Sequence, residues 1–305
     1  MTLNKLFDHH RRQVHRKAWG DLRQFAEALT ATGQLKQVDQ SVSAKLQVTA
    51  LCRHSLINNG PALWFENIEG SGMPVMGNLF GNEQRVLTAL ELETRQDLRD
   101  LGKELAFLRN PSLPDSRQAA LDVVPGFARL AHITPKKLDH APWQENLVDG
   151  PDVDLETLPI ATCWPNDAGP LITWGMVITQ GPSKPRVNLA IYRLQLIAKN
   201  KLIMRWLPHR GGALDFREFQ QANPGKPYPV SVVIGADPAT LLAAVTPIPD
   251  TLSEYQFAGL LRGRRSRVVK SPLTGLPIPH GAEIVLEGHI YPDEMASEGP
   301  FADHT

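Results

Sequence analysis

The chain has little of what announces several common protein classes. It carries two cysteines, Cys52 and Cys163, far apart and in no metal or redox spacing. That excludes a disulfide-framed scaffold and a zinc site built on cysteine pairs. It fits a reducing compartment, or a fold with no need of disulfides. Neither sign of charge is in excess, with acidic and basic residues at 32 each, so electrostatics make no case for a nucleic acid or an anionic membrane as partner. No apolar run approaches the ~20 residues of a membrane-spanning helix. The opening MTLNKLFDHHRRQVHRKAWG is basic but has no apolar signal-peptide core. Its lack of serine and its acidic Asp8 argue against a mitochondrial presequence, which leaves residues 1–19 as a basic arm. No internal repeat or low-complexity tract interrupts the chain.

Turn-formers are what the chain does have. Prolines number 25 and glycines 23 among 305 residues, with 42% hydrophobic and 21% charged residues, the composition of a loop-rich globular protein of about two domains. Asp21 caps a predicted helix whose Leu22, Phe25, Ala26 and Leu29 share a face, with Gly33 as terminator. A second helix is predicted over 43–56. Short strands follow at 61–68 and 74–80, then two helices, the later one marked by the stripe Leu98, Leu101, Leu105 and Leu108. Prolines punctuate 111–165, which reads as a connector with one short helix near 117–121. Beyond it, strands are predicted at 171–180, 187–198, 202–207, 229–235, 267–270 and 282–290, a set that suits a barrel or sandwich. Asp237-Pro238 opens one intervening helix, and Thr251 begins another that ends at Gly263. The fold class is α+β: an N-terminal α/β domain over 20–115, then a β-rich domain over 116–305.

The segment 187–212, VNLAIYRLQLIAKNKLIMRWLPHRGG, concentrates the candidate chemistry. Two apolar runs joined by Lys-Asn-Lys read as a hairpin. Arg193, Arg205 and Arg210 sit in its apolar frame, and buried cations need partners. They either grip a phosphate, for which the guanidinium fork is suited, or face solvent. His209 precedes Arg210-Gly211-Gly212, where backbone can approach a ligand; it is a structural histidine or a ligand. Asn188 and Glu254 could join it around a hard cation such as manganese or magnesium. On pattern alone, Thr251-Leu252-Ser253-Glu254 instead makes Glu254 the N3 residue of a capping box. Glu298 and Asp303 flank a Gly-Pro turn and could share a site, one as proton donor, although a polar chain end is the plainer reading. Asn188 and Arg193 are an odd number of residues apart, so an ideal strand sends them to opposite faces. A bulge or bend between them is required if both serve one site.

The stretches GPALWFENIEG, PVMGNLFG, TCWPNDAGPLITWG, NLAIYRLQLIAKNKLIMRWLPHRGGALD, GADPATLLAAVTPIPDTLSEYQFAGLLRG, AEIVLEGHI and EGPFADHT resemble the UbiD family of decarboxylases, of the 3-octaprenyl-4-hydroxybenzoate carboxy-lyase type, from about Gly20 onward. The resemblance implies a split β-barrel of the flavin-reductase type as the second domain. It implies prenylated FMN with manganese or another divalent metal, and potassium. Asn188, His209 and Glu254 would hold the metal. Ile191, Tyr192, Arg193, Arg205, Trp206, Leu207, Arg210 and Gly211 would line the cofactor. Glu298, Arg193 and Asp303 would form the acid–base network, with Asp303 as proton donor, while the flavin acts as electron sink for the departing carbon dioxide. The implied substrate is a 3-polyprenyl-4-hydroxybenzoate of ubiquinone biosynthesis, with a flavin prenyltransferase as cofactor supplier. Homo-oligomers are implied for full-length members, and a cytoplasmic location, alone or peripherally at the inner membrane. Another aromatic or unsaturated acid is the alternative substrate; a non-catalytic flavin-nucleotide-binding module or assembly fragment is the alternative function. Family members continue past the motif ending ADHT into a further C-terminal α/β domain. The expectation is that a chain without it binds cofactor weakly and turns over poorly.

Overall fold

A computed structural model describes residues 19–109, 129–249 and 251–302. The helix expected near 117–121 and Asp303 lie outside the described residues.

Helix α1 (Leu22–Ala31) starts where Asp21 accepts a hydrogen bond from the Gln24 N–H at 2.9 Å, and Gly33 follows it at φ 69°. Strand β1 (Leu35–Val38) pairs in parallel with β2 (Ala62–Phe65), which pairs antiparallel with β3 (Val75–Gly77). Helix α2 (Gln47–Ile57) begins four residues later than position 43. Bridges and turns hold the stretch before it instead: Val42 bridges Ile68, Lys45 bridges Thr162, and the Leu46 N–H donates to the Thr162 carbonyl at 2.8 Å. Tertiary pairing there overrides a helical pattern. The same contact brings together two thiols that the sequence separates. Burial, and then the proximity of Cys163, push the Cys52 thiol up to about 11, and both cysteines are free. Neither is therefore an activated nucleophile.

Helices α3 (Glu83–Ala89) and α4 (Arg95–Arg109) follow. Of the expected leucine stripe, Leu101 is fully buried and Leu98 and Leu105 pack beside it; the Leu108 side chain is outside the described ones. Their cluster also contains Ala243, Ala258 and Leu261 from the second half of the chain.

That half contains a five-stranded antiparallel sheet in the order β11-β8-β5-β6-β7, formed by β5 (Leu171–Thr179), β6 (Asn188–Ala198), β7 (Lys201–Met204), β8 (Tyr228–Ile234) and β11 (Ile284–Ile290). A three-stranded sheet carries β4 (Lys136–Leu138), β9 (Arg267–Lys270) and β10 (Pro277–Pro279) in the order β10-β9-β4. The two sheets share a core, in which Met176, Ile178 and Val233 meet Val268 and Ile278. Sequence patterns missed β4 and β10, three residues each: β4, Lys-Lys-Leu, is too short to show alternation, and the Pro-Ile-Pro of β10 has the composition of a turn.

Helix α5 (Gly211–Ala222) was also missed. It opens on Gly-Gly with no side-chain cap, so it carries no start signal. Helices α6 (Pro238–Val245) and α7 (Glu254–Arg262) complete the fold. Asp237 caps α6 by accepting from the Thr240 N–H at 3.0 Å. On α7, Gly259 lies so close to a neighbouring turn that an added Cβ would stand 2.3 Å from the His132 carbonyl oxygen. Gly259→Ala is expected to destabilise the chain by about 2 kcal/mol in urea unfolding, because backbone must move to admit the methyl. An unchanged midpoint would show that the 129–132 turn yields freely.

Candidate active site

The hairpin predicted around 187–212 forms from β6 and β7 with Lys199-Asn200 as its turn, but β7 ends at Met204. Arg205 to Arg210 lead out of the sheet into α5. Pairing between β5 and β6 is regular from Asn188 to Tyr192; the irregularity lies between Ile172 and Gly175 on β5, opposite Arg193. β6 therefore has no bulge of its own there. Strand alternation puts Asn188 and Tyr192 on one face and Ile191 and Arg193 on the other, and the packing agrees: Ile191 joins the core with Met176, Tyr192 the core with Val177 and Leu194. The expected cofactor wall at 191–193 is split between faces.

Two side-chain groups result, and no hydrogen bond among the described residues joins them. The first surrounds Asn188, which is buried. Its Nδ2 donates to Thr179 Oγ1 at 3.1 Å, and Thr179 Oγ1 donates to Asp215 Oδ2 at 2.9 Å. Lys184 Nζ donates to Asp215 Oδ1 at 2.7 Å. The Tyr192 hydroxyl accepts from the Gly212 N–H at 3.1 Å, at the start of α5. Asp215, Thr179 and Lys184 were not singled out from sequence. The available signal was an aspartate inside an otherwise apolar helical face (Gly212, Ala213, Asp215 and their neighbours), legible only once α5 is known to be a helix.

Glu254 belongs beside this group. The capping-box reading fails at this residue: Ser253 is the cap and Gln256 its N3 partner, with Gln256 Oε1 accepting from the Ser253 N–H at 2.8 Å. Glu254 is thereby the first helical residue, and its Oε2 accepts from the Leu189 N–H at 2.9 Å, one residue from Asn188. Burial is the main cause that raises its carboxyl from 4.5 to about 6. Because the folded value lies above the ordinary one, this group's stabilising contribution is complete below about 4.5 and is lost as pH rises through about 6. At pH 7.5 the buried charge costs the metal-free chain about 2 kcal/mol. Glu254→Gln is expected to recover that stability at pH 7.5 and to change little at pH 4.5. Equal shifts in urea midpoint at both pH values would show that the carboxylate is not carrying the effect.

His209 is exposed on the turn before α5 and hydrogen-bonds to neither Asn188 nor Glu254. Among the described residues, no three His, Cys, Asp or Glu side chains converge as a metal cluster. The donors that do fit a hard cation are the buried Glu254 carboxylate and the Asn188 amide oxygen.

The second group joins Arg193 and Glu298. Glu298 takes Arg193 in a two-pronged contact, Nε to Oε1 at 2.7 Å and Nη2 to Oε2 at 2.8 Å, with both side chains largely buried. Arg205 Nε stands 3.4 Å from Glu298 Oε2, and the Arg193 guanidinium lies over the Phe301 ring. Trp206 stands edge-on to Tyr192, and its buried Nε1–H has no partner among the described residues. An added Cβ on Gly212 would meet the Trp206 ring at 3.1 Å. Arg205, Leu207 and Arg210 are exposed. A helix start without a bond from its own N-cap side chain, an indole donor with no partner among the described residues and two exposed arginines fit a phosphorylated, ring-bearing cofactor.

Family comparison decides what the arrangement belongs to. The profile described as 3-octaprenyl-4-hydroxybenzoate carboxy-lyase Rift-related domain matches residues 136–305, and the corresponding N-terminal domain matches 26–105. The chain belongs to the UbiD family. Among solved UbiD-class structures, it is similar to the enzyme HmfF from Pelotomaculum thermopropionicum in complex with FMN, at 29% identity and TM-score 0.76 over 92% of this chain and 57% of that one. It is similar to the closed form of Sedimentibacter hydroxybenzoicus vanillic acid decarboxylase, at 28% identity and TM-score 0.82 over 94% of this chain and 58% of that one. It is also similar to Klebsiella pneumoniae 3,4-dihydroxybenzoic acid decarboxylase, at 26% identity and TM-score 0.72 over 90% and 55%. The chain thus spans less than three fifths of the length of these relatives. Among the described residues, no helix is long and apolar enough to cross a membrane.

Proposed function

We propose that this chain carries the flavin- and cation-binding part of a decarboxylase that removes carbon dioxide non-oxidatively from an aromatic acid. The observation that carries the reading is the two-pronged Arg193–Glu298 contact in a UbiD-family chain. An arginine fork fixes both oxygens of a carboxylate and holds it oriented. The shared core of the five- and three-stranded sheets supports a split-barrel description of residues 116–305.

In this reading prenylated FMN, the group named as prFMN in one HmfF complex, supplies the electron sink. Its phosphate end would lie at Arg210, Gly211 and the start of α5. Ile191, Tyr192, Arg205, Trp206 and Leu207 would flank the rest. Asn188 and Glu254 would hold a divalent cation, manganese in the first instance, with His209 as third ligand; potassium is a second candidate ion. Glu298 and Arg193 would orient the substrate carboxylate and the proton donor Asp303, which returns a proton to the carbon that loses carbon dioxide. Substrate class follows the relatives' aromatic acids, and 3-polyprenyl-4-hydroxybenzoate is the specific substrate proposed. Homo-oligomerisation is proposed from the dimeric HmfF form.

The test is co-expression with a flavin prenyltransferase, followed by the absorbance spectrum, bound metal, and carbon dioxide release from 3-polyprenyl-4-hydroxybenzoate, vanillate and 3,4-dihydroxybenzoate. The expected result is bound modified flavin, bound divalent metal and slow release from the prenylated acid. Release from another acid alone would move the substrate. Bound cofactor with no release from any acid would replace the enzyme reading with a binding module.

A further inference from the structure

We propose that Thr179 and Asp215 are positioning residues that lock the Asn188 side chain with its carbonyl oxygen turned toward the start of α5, as an oxygen donor for a hard divalent cation. The inference rests on the cation reading of Asn188 given above.

A buried asparagine has two ends of nearly equal size and opposite chemistry. Only Oδ1 can ligate a cation; the Nδ2 end repels one. Some feature must therefore decide which end faces the site. Asn188 and Thr179 are direct cross-strand partners on β6 and β5, and both are buried. The Thr179 hydroxyl has one proton. Asp215 is 1% exposed and paired with Lys184 at 2.7 Å, and an ionised carboxylate only accepts. The Thr179 proton is thus committed to Asp215 Oδ2 at 2.9 Å, and Thr179 presents only lone pairs to Asn188. Asn188 must answer with Nδ2, as observed at 3.1 Å. The opposite amide orientation would set two acceptors against each other in a buried site, at the cost of an unmade hydrogen bond.

Oδ1 is thereby directed away from Thr179. An ideal Cβ on Gly211 would stand 2.0 Å from it, so Oδ1 sits against the first residue of α5. Lys184 has a second role in the chain. It spans Asp215 and Glu218, at 2.7 and 3.4 Å, and so keeps Asp215 from acting as a competing cation ligand. The order of the relay is Lys184, Asp215, Thr179, Asn188, with each donor direction set by the member before it. Outer partners of this kind commonly govern metal affinity.

The experiment is a Mn2+ titration of the purified full chain, with and without FMN, reading free Mn2+ by electron paramagnetic resonance and following metal-free Tm alongside. Thr179→Val removes the hydroxyl at constant shape and is expected to weaken Mn2+ binding about tenfold. Thr179→Ser keeps the hydroxyl and should bind within about twofold of wild type. Adding Asn188→Asp to Thr179→Val should restore binding, because a carboxylate offers oxygen at either end. Asp215→Asn, which no longer dictates the direction of the Thr179 proton, should weaken binding even if Thr179→Val does not fold. Undiminished Mn2+ affinity in folded Thr179→Val or Asp215→Asn, with Asn188→Ala weakened, would overturn the positioning role and leave the cation site standing. Wild type and Asn188→Ala that bind Mn2+ equally poorly would overturn the cation reading and the positioning role with it.

Discussion

Replacing Arg193 by methionine is expected to lower carbon dioxide release by cofactor-loaded protein about 1,000-fold, with Mn2+ affinity unchanged. Methionine keeps length and apolar bulk but removes both donors to Glu298. Among the described residues the carboxylate then retains only Arg205, 3.4 Å away on a side chain that is 44% exposed. A single contact to a half-exposed, hydrated arginine does not fix both oxygens. Arg193→Lys should recover less than tenfold of the loss, because an ammonium is a point charge without the fork. Single-turnover release, set beside the spectrum of bound flavin, separates lost chemistry from lost cofactor. Full activity in Arg193→Lys would mean that only the charge matters, and the two-pronged geometry would have no catalytic part.

Gly211→Ala is expected to weaken Mn2+ binding about 100-fold while leaving the chain folded. The added methyl would stand 2.0 Å from Asn188 Oδ1 and 2.8 Å from its Cγ. One of the two must move, and α5 is tied to β6 at this point by the Gly212 N–H to the Tyr192 hydroxyl. The amide therefore gives way, which displaces the proposed ligand atom itself. Gly102→Ala, on α4 with nothing within 4 Å of its added Cβ, is the control for a helix glycine that meets no neighbour. Equal Mn2+ affinities for the two variants would show that Asn188 can shift without consequence, and would count against it as a ligand.

What could be read in advance divides along physical lines. Elements with a local start signal were legible: Asp21 before α1 and Asp237-Pro238 before α6 act through caps that reach only three residues ahead. Elements decided by distant contacts were not. The start of α2 depends on Thr162, and β4 exists because β9 pairs with it in parallel. α5 has no cap from its own N-cap side chain, and its aspartate was invisible as a site residue for the same reason. Ser253 and Glu254 show a finer limit. The capping motif was recognised but placed two residues early, and that shift alone turned a proposed ligand into a cap. Arg193 and Glu298 are more than a hundred residues apart, and their pairing came from family resemblance, since no local pattern encodes it.

The core shared by α3 and α4 with α6 and α7 bears on building chimeras within the family. Leu87, Leu90 and Leu101 from the segment matched by the N-terminal profile rest on Ala243 and Ala258 from the segment matched by the other. Leu261 also reaches the seam, but at Ala243 and Ala258 the leucines are received by small side chains. A graft of residues 26–105 from a relative with bulkier residues at the first three positions would overfill that seam, and one with smaller residues would leave it hollow. The two segments are matched by separate profiles, yet the leucines would have to be exchanged together with the alanines that receive them.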